Sequence, residues 1–450
     1  MDFLMTAMMG LILYAIMIPL YFFSANYRLP KKNIILGVTV PYAHHQDAEV
    51  EAISKIYLRR LRLVTLGCLV LGAPAFFVPM SVQILIMLTV LLLYIAGGFL
   101  VFVRANRALM TIKRQSGWQG THTVPAVADF RAMEEKSRPL PRLLFILPCL
   151  VAAVPLVPLV QQVIQGRVVW DEVLAYALTV IWIPLILVLS EAIRRQNAEI
   201  VGAVSDLNVI LTRIRRREYL RCMALTVWLL ALTGLAIWFQ TRVSEFFFLA
   251  LMLILTVVVV VYAFKAEFAV RRAQEKYTKL VGDTLAVDDD EYWLWGYFYH
   301  NKNDKRLIIK ERVGIDMGLN LAKPLGLICM LLAGLALIAM PLIGVWMVAE
   351  EFTPIEYSVE GNVVTAAHLT AREFDLGEHF EIDVIDVFPS GTRTMGTAIG
   401  TLRKGNFNFE GIGPAYALLH TDRPPFVVIT AEDGQVLVFN FVAVFEPLLR

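Results

Sequence analysis

A long uncharged stretch is the feature that most limits how this chain folds. Residues 63–102 contain no Asp, Glu, Lys or Arg over 40 positions. A helix that crosses a bilayer needs roughly 20 apolar residues, so the stretch is about twice as long as one span. Its middle reads "VPMSVQ" (78–83), which predicts a tight turn between two spans. Over the whole chain 58% of residues are hydrophobic and 18% are charged, which is the balance of a multi-pass membrane protein.

Further apolar segments of spanning length occur along the chain. We predict an α-helical polytopic membrane bundle within residues 1–349. Its eight spans lie at 3–25, 62–79, 82–103, 143–164, 172–192, 222–241, 245–264 and 325–349. The first span begins "MDFLMTAMM" without a basic region, and no convincing cleavage site follows it. We therefore expect it to remain as a membrane anchor rather than to be removed as a signal peptide.

The distribution of Lys and Arg predicts the orientation of the bundle. The loops at 26–62, 104–142, 194–221 and 265–324 contain 7, 8, 7 and 11 of these residues, whereas the connections at 79–82, 165–171 and 242–244 contain 0, 1 and 1. Basic loops stay on the cytoplasmic side of a cell membrane. The four basic loops are therefore predicted to be cytoplasmic. The N-terminus and residues 350–450 are then extracytoplasmic.

Residues 350–450 differ from the rest of the chain in charge and in hydrophobic period. They carry 15 Asp and Glu against 6 Lys and Arg, whereas residues 1–349 carry 24 against 35. Hydrophobic residues alternate in "HFEIDVIDVF" (379–388), and "PFVVITAEDGQVLVFNF" (425–441) contains two strands around a Glu-Asp-Gly turn. These patterns predict a small all-β domain of about seven strands, folded as a barrel or a sandwich.

Within this domain, residues 396–440 resemble the bacterial pleckstrin-homology-like (PH-like) domains. The resemblance implies a seven-stranded barrel capped by a helix. A pocket for lipid phosphates needs clustered Lys and Arg. Here Arg403 and Lys404 are the one adjacent basic pair in an acidic domain. We therefore expect a protein or peptide partner at this domain rather than a lipid headgroup.

A juxtamembrane motif at 284–324 immediately precedes the last span. Aromatic residues alternate through it at Trp293, Trp295, Tyr297 and Tyr299. A turn-forming Asn-Lys-Asn-Asp sequence (301–304) and the β-prone "RLIIK" (306–310) follow. We expect a β-hairpin with one aromatic face, packed on the cytoplasmic extensions of the fifth and seventh spans.

The motif has two main interpretations. It is a packed collar around the start of the last helix, or it is a site for a ligand or partner. A catalytic loop is a third interpretation. The candidate site residues are Tyr297, Tyr299, Asn301, Asp304, Arg306, Lys310, Arg312 and Asn320.

Two stretches resemble a family of bacterial membrane proteins associated with SdpI-like proteins. The family's signature is met by Trp293, Gly296, Phe298, Tyr299, Asn301, Asp304, Arg306, Gly314 and Asn320, with a departure at 310–313, where the family's adjacent Lys-Arg pair is split. Residues 35–60 are similar to the first cytoplasmic loop of the same proteins. The resemblance implies a role in toxin immunity or signalling, and it brings no catalytic residue with it.

Motifs for known chemistry are missing from the sequence. It contains no HExxH, no GxSxG, no P-loop and no Cys/His cluster, and the predicted spans have uncharged cores. We therefore predict no catalytic residue, cofactor, metal or nucleic-acid partner. The expected function is non-enzymatic: envelope sensing, or toxin or peptide immunity, through protein contacts in a lipid membrane. Transport of a small molecule or lipid is the alternative, and a membrane-embedded or lipid-modifying enzyme comes third.

Overall fold

The structure is a computed structural model. It describes residues 2–31, 33–118, 143–165, 173, 176–177, 179–195, 205–238, 245–281, 288–309, 312–313 and 318–449. Within these ranges the first part of the chain is helical and the last part is a β-sheet domain. The helices are α1 (Asp2–Ala25), α2 (Ala48–Gly72), α3 (Met80–Gln115), α4 (Leu143–Ala153), α5 (Leu156–Ile164), α6 (Trp182–Arg195), α7 (Ser205–Trp238), α8 (Glu245–Val281) and α9 (Pro324–Phe352).

Several of these helices are long and apolar enough to cross a membrane. Five such stretches occur among the described residues: Gly10–Arg28, Met80–Gln115, Leu143–Gln162, Asn208–Ala236 and Pro324–Phe352. They coincide with the first, third, fourth, sixth and eighth predicted spans. The predicted span at 172–192 lies partly outside the described residues. A helical part of the chain with several helices that could cross a membrane is thus confirmed, whereas the number of eight spans stays a prediction.

The second predicted span falls on the end of α2, which has one exposed apolar face. Leu63, Leu66 and Val70 expose 61%, 58% and 72% of their surface. The opposite face of the same helix buries Leu61, Thr65 and Cys68. An apolar face that no protein atoms cover is stable in hydrocarbon but not in water.

The helices form two groups. In the first group α3 lies between α2 and α9, and α1 packs on both α2 and α3. Gly344 brings α9 against the α3 backbone at Leu85, where a side chain at position 344 would clash. In the second group α7 contacts α4, α6 and α8. The two groups meet where α1 contacts α8.

A buried carboxylate joins the two groups at this contact. Glu267 on α8 is 3% exposed. It accepts hydrogen bonds from Tyr219 on α7 (2.6 Å) and Arg271 (2.6 Å), and Lys31 lies 3.4 Å from it. Arg271 also donates to the carbonyl oxygen of Asn26, which follows α1 (2.9 Å). Buried charges need such partners because desolvation penalises an unpaired ion.

Two sheets make up the C-terminal domain. Strands β7 (Glu356–Glu360), β8 (Val363–Ala367) and β9 (Ala371–Asp375) form an antiparallel sheet of three. The second sheet has the order β10-β14-β15-β13-β12-β11, with β13 and β15 parallel. Its strands are β10 (Glu381–Ile385), β11 (Gly391–Ile399), β12 (Leu402–Phe409), β13 (Gly413–His420), β14 (Phe426–Thr430) and β15 (Val436–Asn440).

The core of this domain lies on both faces of the six-stranded sheet. Successive residues of β13 alternate between two clusters: Tyr416 and Leu418 enter one, and Ala417 and Leu419 enter the other. Phe445, in the 3-10 turn after β15, is fully buried in the first cluster. The prediction of an all-β domain is confirmed, although the described residues form nine strands rather than the expected seven. The prediction of a closed barrel is wrong, because β10 and β11 are unpaired edges of an open sheet.

The end of α9 is tied to the β-domain by charged residues. Glu350 is 4% exposed, and Lys404 on β12 lies 3.0 Å from it. The side chain of His368 is fully buried, with Nδ1 3.8 Å from Glu350 and 3.5 Å from Lys404. The next residue, Glu351, accepts from the backbone N–H of Ser81 at the start of α3 (3.4 Å). We call Glu350, His368 and Lys404 the outer junction.

The outer junction predicts a pH dependence of stability. Burial, and then the charge of Lys404, lower the pKa of His368. The unfolded chain therefore takes up a proton on this residue at a higher pH than the folded one. The contribution of neutral His368 to stability is complete above about pH 6.5 and is lost as the pH falls below that value.

We expect the melting temperature of the purified protein in nanodiscs to fall less between pH 7 and pH 5 for His368→Gln than for the wild type. His379 is the matched control, since it is exposed in the same domain. His379→Gln should show the same fall in melting temperature as the wild type. An equal fall in all three proteins would contradict the assignment of this pH dependence to His368.

Candidate functional site

Two small hairpins meet at the end of the bundle opposite the β-domain. The first consists of β1 (Ile34–Ile35) and β2 (Val38–Thr39), the second of β3 (Trp293–Leu294) and β4 (Phe298–Tyr299). We call these hairpins, with the described parts of 288–323, the hairpin module. The two stretches that resemble the same bacterial family therefore lie in contact.

Glycines permit this contact. Leu36 and Gly37 in the first turn have φ of 49° and 76°, and Trp295 and Gly296 in the second have 55° and 69°. A Cβ at either glycine would clash with the backbone of the other. Asn106 on α3 also donates to the carbonyl oxygen of Leu36 (2.8 Å). Glycine is required here for close approach as well as for its conformation.

The aromatic residues of the motif do not share one face. Trp293 and Tyr299 are buried together, with ring centroids 5.0 Å apart. Tyr297 packs instead on α3, 5.8 Å from Phe99 and 5.9 Å from Phe102. The expected single aromatic face is wrong because two consecutive residues with positive φ interrupt the alternation. The expected packing on the fifth and seventh spans is also wrong for Tyr297, since its ring packs on α3.

The predicted hairpin across 301–304 is also wrong. Phe298–Tyr299 pairs with Trp293–Leu294, whereas β5 (Ile308–Ile309) pairs with β6 (Gly318–Leu319). Residues 301–304 do turn the chain, but between strands that belong to different pairs. A bridge between Tyr299 and Asn320 brings the two pairs together.

Asn320 holds this turn in place. The residue is fully buried. Its Oδ1 accepts from the backbone N–H groups of Asn301 and Ala322 (both 3.1 Å), and its Nδ2 donates to the carbonyl oxygens of Asn301 (2.8 Å) and Asp304 (3.2 Å). One amide thus satisfies four backbone groups of a loop that has no regular secondary structure.

Tyr299, Asp304 and Arg306 continue the same network towards solvent. The Tyr299 hydroxyl accepts from Asn301 (3.1 Å) and donates to Asp304 (3.3 Å). Arg306 binds Asp304 through two nitrogens (2.9 and 2.7 Å). Hydrogen bonding to Arg306 lowers the pKa of Asp304. Since 58% of the Arg306 side chain is exposed, this pair contributes little to stability.

Arg312 is the centre of a buried charge cluster. Its side chain is 3% exposed. It donates hydrogen bonds to the carbonyl oxygen of Gly37 (2.9 Å) and to the hydroxyl of Thr39 (2.8 Å). It also forms ion pairs with Asp289 (2.5 Å) and Asp290. Its guanidinium lies over the ring of Trp293, 5.4 Å from the centroid. One side chain therefore joins the first loop to the last.

Lys113 at the end of α3 completes this charge cluster. Its ammonium lies 2.7 Å from both Asp288 and Asp290. Burial alone would raise the pKa of Asp290, but Arg312 and Lys113 outweigh it and the pKa is lowered. The acidic run at 288–291, which would be expected to be solvated, instead places two carboxylates in the protein interior. Lys113 and Thr39 were not among the predicted site residues.

A cavity of about 340 Å³ opens beside the charge cluster. Its lining residues are Met110, Lys113, Arg114, Gly117, Trp118, Asp288, Asp290 and Glu291. This volume suits a small molecule. Among the described residues, no group of three or more His, Cys, Asp and Glu side chains is placed to bind a metal ion.

The predicted site residues separate into three places. One hydrogen-bond network contains Tyr299, Asn301, Asp304, Arg306 and Asn320. Tyr297 packs on α3, and Arg312 lies in the charge cluster. Lys310 lies outside the described residues. The described side chains bond mostly to one another or to nearby backbone. This arrangement supports the interpretation of the motif as a packed collar.

Comparisons with known proteins add no family. No protein-family model matches the chain, and neither a curated protein nor a solved structure matches it. The resemblances to the SdpI-associated family and to PH-like domains therefore rest on the quoted residues alone.

Asn320→Asp tests the role of the amide. The substitution replaces the donor with a carboxylate oxygen that faces two carbonyl oxygens, and we expect it to lower the free energy of unfolding by about 3 kcal/mol. Asn303→Asp, in the exposed part of the same turn, should change it by less than about 0.5 kcal/mol. Thermal denaturation in nanodiscs measures both. Equal effects of the two substitutions would refute the role of Asn320.

Arg312→Met tests the charge cluster. It retains an apolar stem but removes the cation that Asp289 binds and one of the two cations that Asp290 binds, so we expect a loss of about 3–5 kcal/mol in the free energy of unfolding. Arg306→Met removes an exposed pair and should lose less than about 1 kcal/mol. Adding Asp290→Asn to Arg312→Met should restore part of the loss, because Lys113 is otherwise left to neutralise two buried carboxylates, Asp288 and Asp290. A double variant that is less stable than Arg312→Met would show that this carboxylate does not depend on Arg312.

Proposed function

We propose that this chain is a multi-pass protein of a bacterial cytoplasmic membrane with a non-enzymatic function. It senses the envelope, or provides immunity against a toxin or peptide, through protein contacts of an extracytoplasmic β-domain. A change at that domain reaches the hairpin module through α9. The observation that carries the proposal is that α9 is fixed at both ends.

At its first end α9 is held by the hairpin module. Gly326 lies directly against the backbone carbonyl of Asn320, so a side chain at position 326 would clash. At its other end Glu350 binds Lys404 of the β-domain. The helix between them has 29 residues and a length of about 43 Å. A continuous helix that is held at both ends is an element that two distant sites can bias together.

Charge supports the proposed orientation. The hairpin module lies at the bundle end that includes the basic loops at 26–62 and 265–324. The β-domain and the turn between α2 and α3 lie at the other end, where Glu351 meets Ser81. Lys and Arg concentrate on the cytoplasmic side of bacterial membranes. The hairpin module is then cytoplasmic and the β-domain extracytoplasmic.

The charge of the β-domain also indicates the class of partner. With 15 acidic and 6 basic residues in 350–450, its field attracts a basic protein segment or peptide and repels anionic lipid headgroups. In the described six-stranded sheet β10 and β11 are the edge strands, and extended peptides bind sheets by pairing with an edge strand. The PH-like resemblance is consistent with such an interaction domain.

Transport, the alternative function, needs polar groups within the membrane. The buried charged residues that the structure describes all lie outside the predicted spans. They are Lys31, Lys113, Arg215, Glu267, Arg271, Arg312 and Glu350. Charged sites within the hydrocarbon core are typical of ion-coupled transporters. The positions of these residues therefore favour interaction over ion-coupled transport.

Two introduced cysteines test the orientation. Glu360→Cys lies in the β-domain and Asn303→Cys in the hairpin module, and both positions are exposed. In intact cells that express a version without the four native cysteines, an impermeant thiol reagent should label the first and not the second. Labelling of position 303 alone would invert the proposed topology.

Amide hydrogen exchange tests transmission through α9. Lys404→Met breaks the outer junction, and we expect faster amide hydrogen exchange at 293–309 in nanodiscs, at the far end of the helix. Glu360→Gln, an exposed change in the same domain, is the control and should leave exchange at 293–309 unchanged. Faster exchange confined to the β-domain after Lys404→Met would refute the proposal.

A further inference from the structure

Trp295 has a backbone conformation that is unusual for its residue type. Its φ of 55° lies in the left-handed region, which bulky residues rarely adopt. Leu36 has a φ of 49° in the facing turn, but its side chain is completely buried in the core beneath the module. Core packing therefore explains Leu36. It does not explain Trp295, which is 45% exposed.

The position of Trp295 indicates what covers the exposed part of its ring. The ring centroid lies 6.0 Å from that of Phe99 on α3. Phe99 precedes Arg104, the first charged residue after the uncharged stretch, by five residues, or about 7 Å along the helix. Arg104 is exposed and marks the point where α3 leaves the hydrocarbon. Phe99 and the neighbouring ring of Trp295 therefore lie on the membrane side of Arg104.

The neighbouring surface is also apolar and uncovered by protein. Leu294, the residue before Trp295, is 50% exposed, and Leu100 on α3 is 55% exposed. The turn is thus close to the surface of a candidate span that contacts lipid. Tryptophan concentrates at the boundary between hydrocarbon and headgroups, because its ring is apolar and its N–H binds polar groups.

We infer that the β3–β4 turn inserts Trp295 and Leu294 into the lipid interface on the hairpin-module side of the bilayer. The ligand of this surface is phospholipid at the level between acyl chains and headgroups. The lipid environment favours the large ring and offsets the unfavourable conformation that the turn imposes on it. The hairpin module is therefore anchored to the bilayer itself as well as to the helices.

Spin labels on introduced cysteines test this anchor. In a background without native cysteines, Trp295→Cys and Asn303→Cys place labels on the same module, reconstituted in phospholipid nanodiscs. We expect the label at 295 to be more accessible to oxygen, which partitions into lipid, than to a water-soluble nickel chelate. The label at 303 should show the reverse. A label at 295 that is as accessible to the nickel chelate as the label at 303 would overturn the inference.

A second measurement retains an aromatic ring and avoids a variant that fails to fold. The chain contains eight tryptophans, so the contribution of Trp295 is the difference between wild-type emission and that of Trp295→Phe. In nanodiscs with phospholipids brominated near the headgroup end of the acyl chain, we expect this difference signal to be quenched. A signal that acrylamide in the buffer quenches and brominated lipid does not would also overturn the inference.

Discussion

The placement of Arg312 in the protein interior is the constraint on which the hairpin module depends. A guanidinium out of contact with water needs hydrogen-bond acceptors from the protein. Here they come from the first loop, at Gly37 and Thr39, and from the acidic run before β3, at Asp289 and Asp290. These segments are far apart in sequence, since the hydrogen bond between Thr39 and Asp290 joins residues that are 251 positions apart. The hydrogen bonds and ion pairs of this one side chain therefore hold together two segments that are separated by most of the helical part of the chain.

The glycine contact and the charge cluster have complementary effects. Gly37 and Gly296 allow the two turns to approach until their backbones touch. That approach brings the Gly37 carbonyl within 2.9 Å of Arg312, and Lys113 neutralises the remaining carboxylates from α3. The charge cluster depends on these glycines, because a larger turn residue would separate the acceptors from the cation. Asn320 then orders the loop that leads to α9. Local backbone geometry and long-range charge pairing therefore position the same helix.

Features that depend on local sequence were predictable, and those that depend on distant partners were not. Apolar runs predict helices because a bilayer requires roughly 20 apolar residues per span, and five described helices agree. Period-two patterns likewise predict the strands β10, β14 and β15. The carboxylates at 288–290 look solvated in sequence, because their partners Lys113 and Arg312 are remote or separated by strands. The turn at 295–296 escaped prediction because Trp295 occupies a conformation that its residue type disfavours.

The strand order of the β-domain has a consequence for biosynthesis. Strand β15 lies between β13 and β14 in the sheet although it is the last strand in sequence, and Phe445 beyond it fills the core. The centre of the sheet is therefore missing until the chain has been made almost to residue 445. Translation reaches α9 long before that, so this helix is complete while the domain behind it is still unfolded. A nascent chain that stops a few residues short would have all of its helices and a β-domain with an exposed apolar core, which quality-control proteases recognise.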